Sequence, residues 1–233
     1  MKVSRETSIG GSRRTFAPTV WTLVLRARDR GEFGALVERY WKPCYFYIRR
    51  RGHDVEDAKD LTQAFFADLF EREALAAVSR SKGRFRNFLL ACLGHFLSDE
   101  YDRRRALKRG GKLLSVDFAG AERELAHTAA EAPEKVYRRQ WAVGIVNRAL
   151  GVLKDEMGPR FEALREYLSG GAARGLREVA ERLGVSEGNL KVILHRARRR
   201  YRELLRDEVA RTVQDPREVD EELAELFAAL GRG

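Results

Sequence analysis

A single glycine between two helical patterns is the feature that most restricts how this chain can fold. Residues 175–205 read GLREVAERLGVSEGNLKVILHRARRRYRELL, and Gly184 suits the left-handed turn residue that two crossing helices require. Ala180 is small where the helices must touch, and Ser186 is a good N-cap for the second helix. The second helix supplies an apolar stripe of Leu190, Ile193, Leu194 and Ala197. The combination predicts a helix-turn-helix.

The face of the second helix opposite the apolar stripe is polar and basic. It carries Glu187, Asn189, Lys191, His195, Arg196 and Arg199. Asn and Arg bond base edges in the major groove, and Lys and Arg neutralise phosphates. A solvated basic flank is the alternative, but the basic run continues directly from a helix already shaped for a groove, which favours DNA binding. We assign no proton chemistry to His195.

The charge balance of the chain indicates an anionic partner. The 233 residues carry a formal net charge of +10, with an isoelectric point near 9.9. Such a balance favours nucleic acid, with an acidic membrane surface or a merely basic helical protein as alternatives. No run approaches the ~18 apolar residues of a membrane span. No secretory signal is visible at the N-terminus, so we expect a cytoplasmic protein.

The residues of the chain suggest neither a metal site nor an enzyme. Cys44 and Cys92 lie in apolar runs and form no CxxC or Cys/His cluster, so we expect no zinc site, no disulfide and no cofactor. No nucleophile–base pair or phosphate-binding loop is visible. In a nuclease accessory Asp99, Glu100 and Asp102 would converge on a metal, but these acids lie among arginines, which favours ion pairing.

Apolar residues recur at helical spacing along most of the chain, and no segment alternates as a strand does. The fold class is therefore predicted as all-α, with two small helical domains joined by a flexible linker and a helix-turn-helix in the second. The predicted segments are a disordered N-terminus at 1–18, a first domain at 19–109, a linker at 110–133, a second domain at 134–213 and an acidic helical tail at 214–233.

The segment DAKDLTQAFF, residues 57–66, predicts a helix with two unlike faces, for which Asp54 is the N-cap. Asp57, Asp60 and Gln63 fall on one face, and Ala58, Leu61, Phe65 and Leu69 fall on another. A face rich in carboxylates and amides suits a basic partner surface better than DNA. An ordinary amphipathic helix with a solvated side explains the pattern equally well, and the residues alone leave both interpretations open.

Aromatic and basic residues are mixed in GRFRNFLLACLGHFLSDEYDRRRALKRGG, residues 83–111. Phe85, Phe88, Phe96 and Tyr101 interleave with Arg84, Arg86, Arg103, Arg104, Arg105, Lys108 and Arg109. Rings that stack on bases inside a positive groove hold single-stranded nucleic acid. For most of the phenylalanines a place in the core is the stronger interpretation. The basic cluster at 103–109 suits backbone contacts better than base reading.

Taken in this order, DAKDLTQAFF, FRNFLLACLGHFLSDEYDRRR and LREVAERLGVSEGNLKVILHRARRRYRELL resemble the motifs of an extracytoplasmic-function sigma factor of bacterial RNA polymerase, of the sigma-70 family. The resemblance covers about residues 20–211, and the three motifs together are highly specific. The segments WTLVL, YWKPCYFYIRRRG, KRGG, RRQWA and TVQDPREVDEELAELFAAL are similar to a planctomycete and proteobacterial subgroup with a C-terminal extension.

The resemblance implies a subunit that binds core RNA polymerase and directs promoter-specific transcription initiation at minus-10 and minus-35 elements. Its expected partners are promoter DNA and the clamp helices and flap of the polymerase; an anti-sigma factor or another regulatory partner is left open. The polymerase-binding residues would be Asp57, Asp60, Leu61 and Gln63. The DNA-binding residues would be Phe85, Phe88, Arg103, Arg104, Lys108, Ser186, Lys191, Val192, His195, Arg196 and Arg199.

The chain departs from the family pattern at a few positions. Gly94 and His95 replace the Arg-Asn of many relatives, which bears on the minus-10 preference, and Val192 offers a methyl contact to thymine where a polar residue is common. The acidic tail would either fold back on the basic domain and hold it off DNA or extend the core, which we favour slightly. The core extension would use Leu223, Leu226, Phe227 and Leu230. The alternative function is a stand-alone helix-turn-helix transcriptional regulator, against which the clamp-like motif argues.

Overall fold

The structure, a computed structural model, describes residues 30–71, 84–104, 121–122, 125, 131–168, 175–213 and 215–231. Across these ranges the chain is helical and contains no strand, which confirms the predicted all-α class. The predicted N-terminal segment 1–18, most of the predicted linker and Lys108 lie outside the described residues.

Eight α-helices are described. They are α1 (Arg30–Arg50), α2 (Val55–Glu71), α3 (Phe85–Arg104), α4 (Pro133–Met157), α5 (Arg160–Leu168), α6 (Leu176–Arg182), α7 (Glu187–Ala210) and α8 (Val219–Ala229). A short 3-10 helix, Pro216–Glu218, leads into α8. At the start of α2, Asp54 Oδ1 accepts a hydrogen bond from the Asp57 amide at 2.8 Å, as predicted for its N-cap.

The largest hydrophobic core is built by helices from both sides of the predicted linker. The Tyr40 ring of α1 meets Phe85 of α3 at 5.2 Å between centroids, and Tyr47 of α1 meets Tyr137 of α4 at 6.4 Å. The hydroxyl of Tyr137 donates to the carbonyl of Arg86 at 3.0 Å. The helices before residue 105 and those after residue 132 therefore share one core, while the domain boundaries drawn from the sequence stay predictions.

A buried carboxylate, Glu208 of α7, ties three helices of this core together. Its Oε2 accepts from Arg39 Nη1 of α1 at 3.1 Å and from Arg148 Nε of α4 at 2.8 Å, and Arg211 binds its Oε1. Burial alone raises the pKa of this carboxyl, but the hydrogen bond from Arg148 and the neighbouring positive charges outweigh burial and hold its pKa below the ordinary value. Glu208 is thus ionised in the fold and fixes α1 and α4 against α7.

The acidic tail forms α8 and packs its apolar side against the main core. Leu226 is fully buried, and Leu223 and Leu230 are partly buried against the same core, whereas Phe227 is exposed. At the solvent edge, Asp220 Oδ1 accepts from Arg206 Nη1 of α7 at 2.5 Å. Three of the four apolar residues named for the tail therefore pack on the core, which favours the interpretation that the tail extends the core.

Candidate nucleic-acid interface

A second, smaller apolar cluster holds α6 against the first half of α7. Its fully packed members are Leu164, Tyr167, Val179, Ala180, Leu190 and Leu194. Ala180 is buried where α6 meets α7, at the position where the sequence requires a small residue. Ile193, expected in the same stripe, is partly buried against this cluster, and Ala197 is buried in the next turn. The two helices are therefore fixed together by a cluster of their own, which meets the main core at Met157.

The connection between α6 and α7 is a tight turn. Gly184 has φ +64°, the left-handed conformation that favours glycine, and its amide donates to the Glu181 carbonyl at 3.1 Å. The next amide, that of Val185, donates to the Ala180 carbonyl at 3.0 Å. Ser186 Oγ then accepts from the Asn189 amide at 3.2 Å, so the predicted N-cap is present.

The face of α7 that points away from the apolar cluster is exposed and basic. Lys191, His195, Arg196 and Arg199 are all exposed, and Val192 between them is 47% exposed. Arg199 Nε donates to Glu203 Oε1 at 3.2 Å, and this hydrogen bond lowers the pKa of Glu203. This surface therefore carries the cations Lys191, Arg196 and Arg199 around the exposed Val192, with Glu187 near its start and Glu203 at its far end.

An open groove of about 650 Å³ runs beside this face. Its lining combines apolar side chains, basic side chains and one imidazole: Tyr167, Leu176, Lys191, Leu194, His195, Arg198 and Arg202. Arg198 Nη2 donates to the Tyr167 carbonyl at 3.1 Å, which fixes one wall of the groove to α5. Lys191 and His195 thus border both the groove and the exposed face.

The residues predicted on α2 to bind polymerase divide between surface and interior. Asp60 is exposed and Asp57 is partly exposed, so both can meet a partner. Leu61 is buried in the main core, and Gln63 is also buried, although the sequence placed it on the solvent side of α2. The surface that α2 presents is therefore narrower than the four predicted residues suggest.

The aromatic residues predicted to meet nucleic acid on α3 belong mainly to the core. Phe85 is fully buried, and Phe88 is partly buried with its ring 6.0 Å from that of Phe85. Tyr101, near the end of α3, is the exposed aromatic residue of this helix. Arg103 and Arg104 form the last turn of α3, and their side chains lie outside the described residues.

One basic residue of this region has an unexpected place. Arg86, which the sequence groups with the nucleic-acid-binding cations, is only 2% exposed and makes a buried ion pair with Glu222 of the tail. The signal that could have revealed the pair is the position of Glu222 on the apolar stripe of α8, one turn before Leu226. A carboxylate in such a stripe indicates a buried cationic partner.

The described residues contain no group of three or more His, Cys, Asp or Glu side chains placed to hold a metal ion. No helix within these ranges is long and apolar enough to cross a membrane. No family model, no curated protein and no solved structure matches the chain. The resemblance to sigma factors therefore depends on the sequence motifs alone.

Alanine substitutions at two glycines near the start of α7 test this geometry, because they should change the free energy of unfolding in opposite directions. Gly184→Ala places a side chain at φ +64° and is expected to lower the free energy of unfolding by ~1–2 kcal/mol. Gly188→Ala, inside α7, is expected to raise it by ~0.5–1 kcal/mol, because alanine loses less backbone entropy in a helix. A Cβ at either position meets no atom within 4 Å, so conformation decides both effects. Urea unfolding measures them, and equal shifts at the two positions would contradict the turn.

Proposed function

We propose that the protein is a sigma factor that binds core RNA polymerase and directs promoter-specific transcription initiation. The observation that carries the proposal is the exposed basic face of α7, held on α6 by its own apolar cluster and by the turn at Gly184. We infer that this arrangement serves as a helix-turn-helix, in which the second helix enters a major groove. The resemblance to sigma-factor motifs over residues 20–211 is the reason to propose RNA polymerase as the partner.

In this proposal α7 reads the minus-35 element. Lys191 and Arg196 supply the cations that neutralise phosphates or bond guanine, and the exposed Val192 offers its methyl groups to thymine. The N-terminus of α7, capped by Ser186, approaches a phosphate with its free backbone N–H groups. Arg199 exchanges its exposed partner Glu203 for a phosphate, which costs little because exposed pairs contribute little.

In this proposal the first half of the chain binds the polymerase. Of the four residues of α2 predicted to bind polymerase, Asp57 and Asp60 are the accessible ones, and their carboxylates suit the basic partner surface that the sequence predicts. Leu61 and Gln63 support α2 from inside rather than by contact. At the end of α3, the exposed ring of Tyr101 is the candidate contact for a melted DNA strand, because exposed rings stack on bases.

In this reading the protein is no enzyme, since its residues recruit and position the polymerase that performs the chemistry. The stand-alone DNA-binding regulator stays the alternative function. It uses the same face of α7, so that DNA binding alone does not separate the two functions. Association with core polymerase does separate them.

Binding to core bacterial RNA polymerase is therefore the first test. We expect the wild-type protein to co-elute with core polymerase at moderate salt on a sizing column. Asp60→Arg is expected to abolish co-elution, because it reverses charge on the surface proposed to meet the polymerase. Asp155→Arg, the same change at an exposed position of α4, is the matched control and should co-elute like the wild type.

One result would contradict the proposed function, and another would contradict the proposed docking surface. If wild type and both variants elute alone, yet the protein still shifts duplex DNA, the stand-alone regulator replaces the sigma factor. If Asp60→Arg and Asp155→Arg co-elute equally well, α2 is not the docking surface.

The basic face of α7 gives a second prediction, on the salt dependence of binding to a mixed-sequence DNA duplex. Each phosphate contact removed lowers the slope of log affinity against log salt by about 1. The double variant Lys191→Ala with Arg196→Ala is expected to weaken binding and to flatten this slope. The control double variant Arg138→Ala with Arg160→Ala removes the same charge from exposed positions on α4 and α5. If both doubles weaken binding alike, overall charge rather than the α7 face holds the DNA.

A further inference from the structure

The tail helix joins two halves of the chain that the sequence separates by a linker. The N-terminal half is α1–α3, residues 30–104, and the C-terminal half is α4–α8, residues 133–229. Helix α8 packs on α4 and α7 of its own half and also reaches the first turn of α3. The tail thus bridges the two halves as well as extending one of them.

The bridge is a buried, two-point ion pair between Arg86 and Glu222. Arg86 Nε donates to Glu222 Oε1 at 2.8 Å, and Arg86 Nη2 donates to Glu222 Oε2 at 2.9 Å. The guanidinium of Arg86 also lies over the ring of Trp141 of α4, 4.4 Å from its centroid. Glu222 is fully buried. Parallel paired bonds between a guanidinium and a carboxylate fix both partners in position and orientation.

Other charges surround this pair and reinforce it. Arg84 Nε lies 2.8 Å from Glu222 Oε2, and Arg84 Nη2 lies 3.2 Å from Glu221 Oε2. Glu225, at the edge of the cluster, lies 3.6 Å from both Arg84 and Arg86. We call these five residues the tail latch: Arg84, Arg86, Glu221, Glu222 and Glu225.

The joint that the latch closes leaves several polar atoms unpaired. In the described part of the chain, Tyr40 Oη, Gln140 Oε1 and Trp141 Nε1 are buried without a hydrogen-bond partner. Tyr40 belongs to α1, and the other two belong to α4, the helix packed against α1. Separation of the halves would return water to these atoms. The closed joint is therefore held by the latch, by the Arg39–Glu208 ion pair and by apolar packing. The buried polar atoms oppose closure, because they lose their hydrogen bonds to water.

The latch leaves the proposed DNA-reading face of α7 uncovered. The charged groups of α8 pair with Arg84, Arg86 and Arg206, whereas Val192 and its neighbours on α7 stay exposed. The tail therefore holds the two halves in position relative to each other and does not cover the basic face of α7.

We propose that the tail latch holds a closed resting form of the protein, and that binding to core polymerase requires its release. The proposal rests on the proposed function, in which the N-terminal half binds the clamp and the minus-10 strand while the C-terminal half binds the minus-35 duplex. When only the open fraction of a protein can bind, its apparent affinity is reduced by that fraction. Weakening the latch therefore strengthens polymerase binding.

The test compares Glu222→Gln, which keeps the shape of the side chain and removes its charge, with Glu162→Gln. The control removes a carboxylate of the same half that pairs with Lys154 at 3.2 Å on the surface. Dyes are attached at Glu38→Cys in α1 and Asp155→Cys in α4, both exposed positions away from the proposed docking face of α2, in a Cys92→Ala background. Cys44 is fully buried and should not be labelled.

We expect one closed population by single-molecule energy transfer for the wild type and for Glu162→Gln. Glu222→Gln should add a population with lower transfer, and its apparent dissociation constant for core polymerase should fall by about tenfold if closed molecules dominate. If Glu222→Gln fails to fold by circular dichroism, Glu225→Gln replaces it and should shift both readouts in the same direction by less.

The possible results of this test distinguish failure of the tail latch from failure of the proposed sigma-factor function. A single closed population with unchanged polymerase affinity in Glu222→Gln overturns the latch. If Glu222→Gln shows an open population but binds core polymerase no more tightly, Glu222 holds the two halves together without controlling polymerase binding. That result also overturns the proposal. If the wild type does not bind core polymerase, the proposed function fails and control of polymerase binding fails with it, while the energy-transfer data still decide whether Glu222 closes the joint.

Discussion

A carboxylate with no exposed surface, Glu222, is held by Arg86 in the first turn of α3 and by Arg84 just before that helix, more than a hundred residues away in the sequence. Removal of one partner from such a pair leaves a buried charge and costs ~3–5 kcal/mol, so the position of α8 is strongly specified. Glu208 has the same role between α1, α4 and α7. The arrangement of the main core around α1 and α4 depends on these two carboxylates, because each fixes helices from both halves.

The α6–turn–α7 segment is built differently, since it depends on apolar packing and backbone conformation rather than on buried charge. Leu190 and Leu194 hold α7 on its smaller cluster, and Gly184 sets the direction in which α7 leaves the turn. The cations of α7 are then free to face outward. A rigid support with an exposed charged face is what recognition of a polyanion requires, because the phosphates supply most of the affinity and a fixed helix supplies register.

Local signals in the sequence predicted local structure well. Gly184, Ser186 and Asp54 each have the turn or capping role expected of them, since these roles depend on neighbouring backbone groups. Tertiary placement was harder to predict. The burial of Gln63 and Phe85 depends on which helix packs against α2 and α3, and the pairing of Arg86 with Glu222 joins distant segments. The shared core of the two halves was hard to predict for the same reason. Apolar periodicity shows that one face of a helix is buried, but it does not show which helix packs against that face.

Transcription by core RNA polymerase on sheared genomic DNA, with and without the protein, tests the central claim most directly. The account predicts that the protein gathers RNA 5′ ends at a limited set of positions, each preceded by the same two upstream sequence elements. It also predicts that Lys191→Ala with Arg196→Ala reduces initiation at those positions. If the 5′ ends are the same as those made by core polymerase alone, while the protein binds DNA, the sigma-factor account is contradicted.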